Sequence, residues 1–346
     1  MAGYNYGKNA VFGSGNTTSD LTGSTVVVGD SNTVSGSAQN VLVVGESNTV
    51  QESLSDSAIV SKGSTLESGS DNSVIMGGTG SVMQGGSDSA AIIGGLRNNL
   101  TAAGSMTRGA VIGGLLNNNS GIGSVILGGG LNVIGDAADN AFIMGSGNNI
   151  GVGGSKAWCL GTSNTVGDTN ARTAFMSWEG TAGAEGNYSI AFGYQPETND
   201  HMSFTYGGGK LGGVAGSVQF HHKLIACQTT DATQTTMVTQ RSSHNDSIRV
   251  KLNSSYMFRI EIVARRTSTQ TESAAYEILG CVKNDAGTTA LEGTITKTVI
   301  AEADAAWDVT AVANNTDDTL DVKVTGQAGN NINWVAKVTL VETNGA

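Results

Sequence analysis

Hydrolysis of a sugar chain requires two carboxyl groups about 5 to 9.5 Å apart beside a groove that holds the sugar. Asp30 and Glu46 are the acidic pair that spacing could bring together, since they occupy equivalent turns of a repeat. Neither has aromatic neighbours, and the chain holds only four tryptophans and 5% aromatic residues. Of the four histidines, His201, His221, His222 and His244, the adjacent pair would point to opposite faces of one strand and cannot easily share a metal. Cys159, Cys227 and Cys281 are odd in number and widely spaced. They read as small buried hydrophobes of a protein assembled in a reducing cytoplasm, and no paired ligands at zinc spacing accompany them. Lys210 follows a glycine run but lacks the upstream glycine of a phosphate loop, where Phe204 and Thr205 stand. One local cluster stands out: Trp178, Glu179, Glu185, Tyr188, Tyr194 and Tyr206 gather where aromatics have been scarce. It reads as a collar that caps a solenoid, with a shallow glycan site as the alternative. Catalytic residues, cofactor and metal are accordingly expected to be absent, and the chain is expected not to be an enzyme.

The elements that would position these residues follow from a repeat. Between Ala10 and Pro196 an apolar triplet ending in glycine recurs, as at residues 26–29 (VVVG), 42–45 (LVVG), 91–94 (AIIG), 125–128 (VILG) and 142–145 (FIMG), with Ser61 and Ser177 in the glycine slot of two copies. The steps run from 15 to 19 residues and are mostly 16, the mark of a stacked coil. A triplet, a polar turn such as Asp30–Ser31–Asn32 and a second short piece such as Thr33–Val34 supply two strands and two turns per circuit. About twelve rungs stacked in parallel at about 4.8 Å predict a rod on the order of 55 Å long. Asn32, Asn48, Asn132, Asn148 and Asn164 recur at one phase, where Asn tolerates a left-handed turn and can form a hydrogen-bonded ladder along the axis. Side chains alternate along a strand, so the middle residue of each triplet is expected to point away from the interior. Apolar residues on both faces then call for a second buried surface, for which a homotrimer interface is expected; cover by turns of the same chain is the alternative.

Composition divides the chain. Of its 50 glycines, 44 precede Ser217, whereas 11 of the 18 lysines and arginines follow Ser217. The two parts carry net charges of −8 and −3, from 7 basic and 15 acidic residues before Ser217 and 11 basic and 14 acidic residues after it. Neither has the basic footprint of nucleic-acid binding. No charged segment followed by an apolar run opens the chain and no 18-residue apolar run occurs, which argues against a secretory leader and membrane insertion. Three regions are expected: a shaft over 1–197, a flexible Gly-rich linker over 198–216, and an antiparallel sandwich over 217–346. In the last, alternating runs at 217–229, 247–252, 256–264, 275–282, 291–300, 307–313, 320–324 and 332–341 predict eight strands of a jelly roll.

The segments VVVGDSNTV (26–34), VVGESNTV (43–50) and LGTSNTV (160–166) resemble the head repeats of trimeric autotransporter adhesins. That resemblance implies a parallel β-roll in a homotrimer, intertwined or side by side. The same repeat occurs in bacteriophage tail fibres and tailspikes, which fold without a leader. The closing passage 306–342, with its Trp307 strand and final INWVAKVTLVE strand, looks like the C-terminal β-sandwich of phage tail proteins. The resemblance implies a tail fibre or tailspike of the virion, assembled in the host cytoplasm, with a terminal head that binds a host-surface polysaccharide or protein receptor. Another virion protein is expected to hold the N-terminal rung, because the roll begins within about ten residues of Met1. Two rival readings remain open: a structural fibre or connector without a receptor role, and a polysaccharide depolymerase.

Overall fold

The computed structural model describes residues 4–6, 9–19, 21, 23–51, 54–101, 108–167, 172–182, 188–198, 200–239, 246–267 and 271–344. Every regular element among them is a β-strand. The chain forms a parallel β-solenoid of about eleven turns followed by antiparallel sheets, and divides into two compact units, Met1–Met176 and Ser177–Ala346.

In the first unit the triplets form one parallel ladder in the register that the glycine alignment predicts. Val27 pairs with Val43, Val43 with Ile59, Ile59 with Ile75 and Ile75 with Ile92, and the column continues through Val111, Ile126, Ile143 and Cys159. All of these middle residues are fully buried, while Val28, Met76, Ile93, Ile112, Leu127 and Met144, one position later, are exposed. The expected orientation is therefore inverted: the middle residue fills the coil and its neighbours face outward. The second ladder places Val34, Val50, Leu66, Met83, Leu100, Ile134, Ile150 and Val166 opposite them, again fully buried. Asn119 interrupts that column, and its Nδ2 donates to the carbonyls of Ser124 (2.8 Å) and Ala110 (3.2 Å), so its burial is satisfied.

The asparagine ladder is present. Oδ1 of Asn32 accepts from the backbone N–H (3.1 Å) and Nδ2 (3.1 Å) of Asn48, and Nδ2 of Asn32 donates to the Gly45 carbonyl at 2.8 Å. Asn117, Asn132, Asn148 and Asn164 repeat this arrangement. The left-handed backbone falls one residue earlier than expected, on Ser31 (φ 57), Ser47 (φ 58), Leu131 (φ 58) and Ser163 (φ 56). That turn swings the following Asn inward, where its amide replaces the backbone partners lost at the corner. Gly45 shows why the slot takes so small a residue: at φ 132 a Cβ would lie 1.9 Å from the Ser61 carbonyl oxygen of the next coil.

The second unit corrects the expected linker. Ile190–Tyr194 pairs in parallel with the strand Ser203–Leu211, Gly193 opposite Gly207, so one more stacked strand follows at a step of 14 residues. Ser203–Leu211 then turns back onto Val214–Thr229 as an antiparallel hairpin through Gly212 (φ 58) and Gly213 (φ 86). Glycine at 207 reflects crowding, since a Cβ there would lie 2.6 Å from the backbone of both Pro196 and Tyr194.

From the hairpin a sheet continues in the order Val214–Thr229, Ile332–Asn344, Ser254–Arg266 and Ser273–Asp285, whose far edge carries both Thr288–Leu291 and Thr296–Glu302. The strand expected over 291–300 is thus two, separated where Gly293 takes φ 76. A smaller antiparallel sheet pairs Thr319–Thr325 with Asp308–Asn314, Thr235–Met237 and Ile248–Arg249. One apolar cluster joins the two sheets around Trp307, Trp334, Tyr276 and Phe258. Trp334 donates its ring N–H to Thr229 at 2.9 Å, so this buried ring keeps a polar partner, whereas the Trp307 ring N–H is buried without one among the described residues.

Candidate functional site

The expected acidic pair is already occupied. Ser14 donates to Asp30 through its backbone N–H (2.9 Å) and hydroxyl (2.8 Å), and these bonds hold the exposed carboxyl below its ordinary range. Glu46, paired with Asp30 in register, forms an ion pair with Lys62 at 2.9 Å. The aromatic cluster is partly assembled. Trp178 meets Tyr194 edge-on at 6.5 Å, and Tyr206 stacks on Phe220 at 5.5 Å, with Phe220 in turn 5.2 Å from the His222 ring. Gln195 donates its side-chain amide to Glu179, and Tyr188 lines a shallow apolar groove with Phe204, His222 and Leu224. Glu185 and His244 lie outside the described residues. His221 and His222 do face opposite sides of their strand: His221 bonds Glu342 within, and His222 packs against Phe204 and Thr339 without.

A different group of residues forms a polar recess of about 340 Å³ in the second unit, lined by Asp200, His201, Asp246, Ser247, Arg249, Asp317 and Thr319. Lys223, buried on the Val214–Thr229 strand, fixes its wall: its ammonium donates to Asp200 Oδ1 at 2.6 Å and to the Ser247 carbonyl at 3.1 Å. Asp200 Oδ2 also accepts from the Arg249 backbone N–H at 3.4 Å. Across the recess Asp246, partly exposed, lies 3.7 Å from His201 Nε2. Asp317 sits in the 314–318 turn and accepts from the Asn314 amide at 2.9 Å. Three carboxyl groups, an imidazole and a guanidinium thus share one opening large enough for a sugar residue.

Asp200 and Arg249 also line a smaller cavity of about 30 Å³, room for about one water. There Glu342 Oε2 accepts from Gln219 (2.7 Å) and bonds His221 Nε2 (2.6 Å), while Thr205 meets the other ring nitrogen at 2.9 Å. Burial raises the Glu342 carboxyl most strongly, but the hydrogen bond and charge of His221, the Gln219 hydrogen bond and the Lys251 charge together outweigh it, and the net shift is downward. Tyr256 beside it is pushed well above its ordinary value by burial first and by the Glu342 charge second. The second oxygen, Oε1, is buried with no protein partner. A Glu197–Lys251 pair at 2.5 Å closes the same cavity.

These residues were not singled out in sequence, because Asp200, Asp246 and Asp317 stand in separate turns. A signal existed nonetheless. Gln219, His221 and Lys223 occupy the inward parity of a strand whose next inward position is Ile225, fully within the core.

No protein-family model and no curated protein matches the chain. Among solved structures it is similar to tailspikes. One is the tailspike protein gp49 of Acinetobacter baumannii bacteriophage Fri1, a capsular polysaccharide depolymerase, at 11% identity and a TM-score of 0.24 over 95% of this chain and 80% of that one. Another is the tailspike of Acinetobacter baumannii phage AM24, at 11% identity and a TM-score of 0.24 over 96% and 66% of the two chains. A third, the tailspike of Acinetobacter phage vB_ApiP_P1, shares 12% identity with a TM-score of 0.18. The likeness is low. Against the expectation of a protein without enzymatic activity, the Fri1 tailspike is a capsular polysaccharide depolymerase.

Proposed function

We propose that this chain is a phage tailspike that cleaves a surface polysaccharide of the host cell, with the recess around Asp200, Asp246 and Asp317 as the reaction site. The observation that carries this reading is the convergence of three carboxyl groups on one sugar-sized opening, the side-chain set that glycoside hydrolysis uses. Asp200, held by Lys223 and the Arg249 N–H, is the fixed carboxylate. Asp246, beside His201, is the group free to exchange a proton. In this reading the protein is a component of the virion tail, carried at its N-terminal end by another tail protein, and acts as a homotrimer. The exposed column of Val28, Met76, Ile93, Ile112, Leu127 and Met144 supports self-association, since a soluble monomer rarely leaves so long an apolar row uncovered. Three heads on one spike also raise avidity for a repeating polymer.

The test is incubation of purified protein with host capsule or lipopolysaccharide, followed by measurement of reducing ends and chain length. Progressive shortening is expected, with a fall of about 100-fold or more in Asp200→Asn and Asp246→Asn, consistent with loss of general acid–base or nucleophilic assistance. Saturable binding without shortening would replace cleavage by receptor recognition. Shortening that survives both substitutions would place the reaction elsewhere.

A further inference from the structure

Resting on the recess as the sugar site, we infer that its ligand is a glycan free of anionic substituents, one built from neutral or amine-bearing sugars without uronate, sialate, phosphate or sulfate groups. Of the charges lining the recess, the Asp200 carboxylate is matched by the buried Lys223 ammonium at 2.6 Å. What remains facing the opening is Asp246 and Asp317 against Arg249, with His201 adding charge only when protonated. Asp321, buried behind these lining residues, accepts through Oδ1 from Thr319 at 2.7 Å and through Oδ2 from the same Asn314 amide that serves Asp317, at 3.3 Å. The balance among the described residues is negative, on a chain whose formal net charge is −11. A low-dielectric recess concentrates that field, so an anionic repeat meets repulsion both on approach and on seating. Pyranose hydroxyls and N-acyl or amino groups, by contrast, are donors that carboxylates accept well.

The experiment applies the full-length protein to an array of purified bacterial capsular polysaccharides, neutral and anionic, at low and at raised salt. Each uronate- or sialate-bearing hit is repeated after carboxyl reduction, which removes charge and leaves the sugar backbone. Binding and cleavage are expected among neutral and amine-bearing polymers. Anionic ones should be at least about tenfold weaker at low salt, the gap narrowing as salt rises and on carboxyl reduction. Asp317→Asn should narrow it further. An anionic polymer that binds most tightly and loses binding on carboxyl reduction would overturn the inference while leaving a polysaccharide-cleaving recess intact. Silence toward every polymer would overturn both.

Discussion

The asparagine ladder makes a prediction whose size follows from counting hydrogen bonds. Asn132 is fully buried between Asn117 and Asn148. Its Nδ2 donates to Asn117 Oδ1 (2.9 Å) and to the Gly145 carbonyl (2.7 Å), and its Oδ1 accepts from the Asn148 backbone N–H (3.0 Å) and Nδ2 (3.1 Å). In Asn132→Ala, Asn117 Oδ1 keeps the residue 132 N–H and Asn148 Nδ2 keeps the Gly161 carbonyl. Three groups lose a bond: the Gly145 carbonyl and the Asn148 N–H, which dominate, and the Gly128 carbonyl, held only at 3.3 Å. At about 1–3 kcal/mol for each buried orphan, the coil should lose about 2–6 kcal/mol locally. Asn132→Ser supplies its own control, because Ser64 already fills an equivalent rung: its N–H bonds Asn48 Oδ1 at 3.1 Å and its hydroxyl accepts from the Ser81 N–H at 3.2 Å. Serine should therefore restore the Asn148 acceptor and recover about half the loss. A solenoid unfolds in pieces, so the assay is amide hydrogen exchange of the 142–151 segment, where a loss of about 2 kcal/mol appears as exchange about 30-fold faster. Exchange in Asn132→Ala within about threefold of the parent, or Ser no better than Ala, would show that the ladder decorates the coil without holding it.

Four further outcomes follow from the same kind of reasoning. Gly45→Ala forces a Cβ to 1.9 Å from the Ser61 oxygen at φ 132 and should open the coil there, read as faster exchange across 42–62 with little change beyond the neighbouring rungs. Lys223→Met leaves Asp200 without its cation and should destabilise the second unit by about 3–5 kcal/mol in denaturant unfolding followed by tryptophan fluorescence. Glu342, whose carboxyl sits below its ordinary 4.5 in the fold, contributes stability that is complete above that value and is lost as pH falls through the lower folded one; the acid-side loss of unfolding midpoint should be smaller in Glu342→Gln. Burial pushes Cys159 up to about 12 and Cys227 up to about 11, so at pH near 8 iodoacetamide should label these two only after unfolding.

How much of this was legible in sequence depends on whether a pattern distinguishes the two faces of a strand. The coil register was legible, because one glycine per rung marks where backbones crowd. Which triplet residue enters the coil was not, since Val26, Val27 and Val28 are alike and alternation fixes parity only once the corner geometry is known. The left-handed turn at Ser31 sets that geometry, and it carries Asn32 and Val34 inward together. The second unit reverses the difficulty. Its strands alternate clearly, and along Ile332–Asn344 the inward residues run Ile332, Trp334, Ala336, Val338, Leu340 and then Glu342. On the partner strand the inward set changes from Ile225 to Lys223, His221 and Gln219, with Gln219 in register with Glu342. The apolar core therefore ends at one end of the sheet, and a polar wall begins where the two strands pair. Asp200, Asp246 and Asp317 come from turns that only the fold brings to that end. Their wall was readable all the same, as a stretch of inward polar parity with no apolar reason to be there.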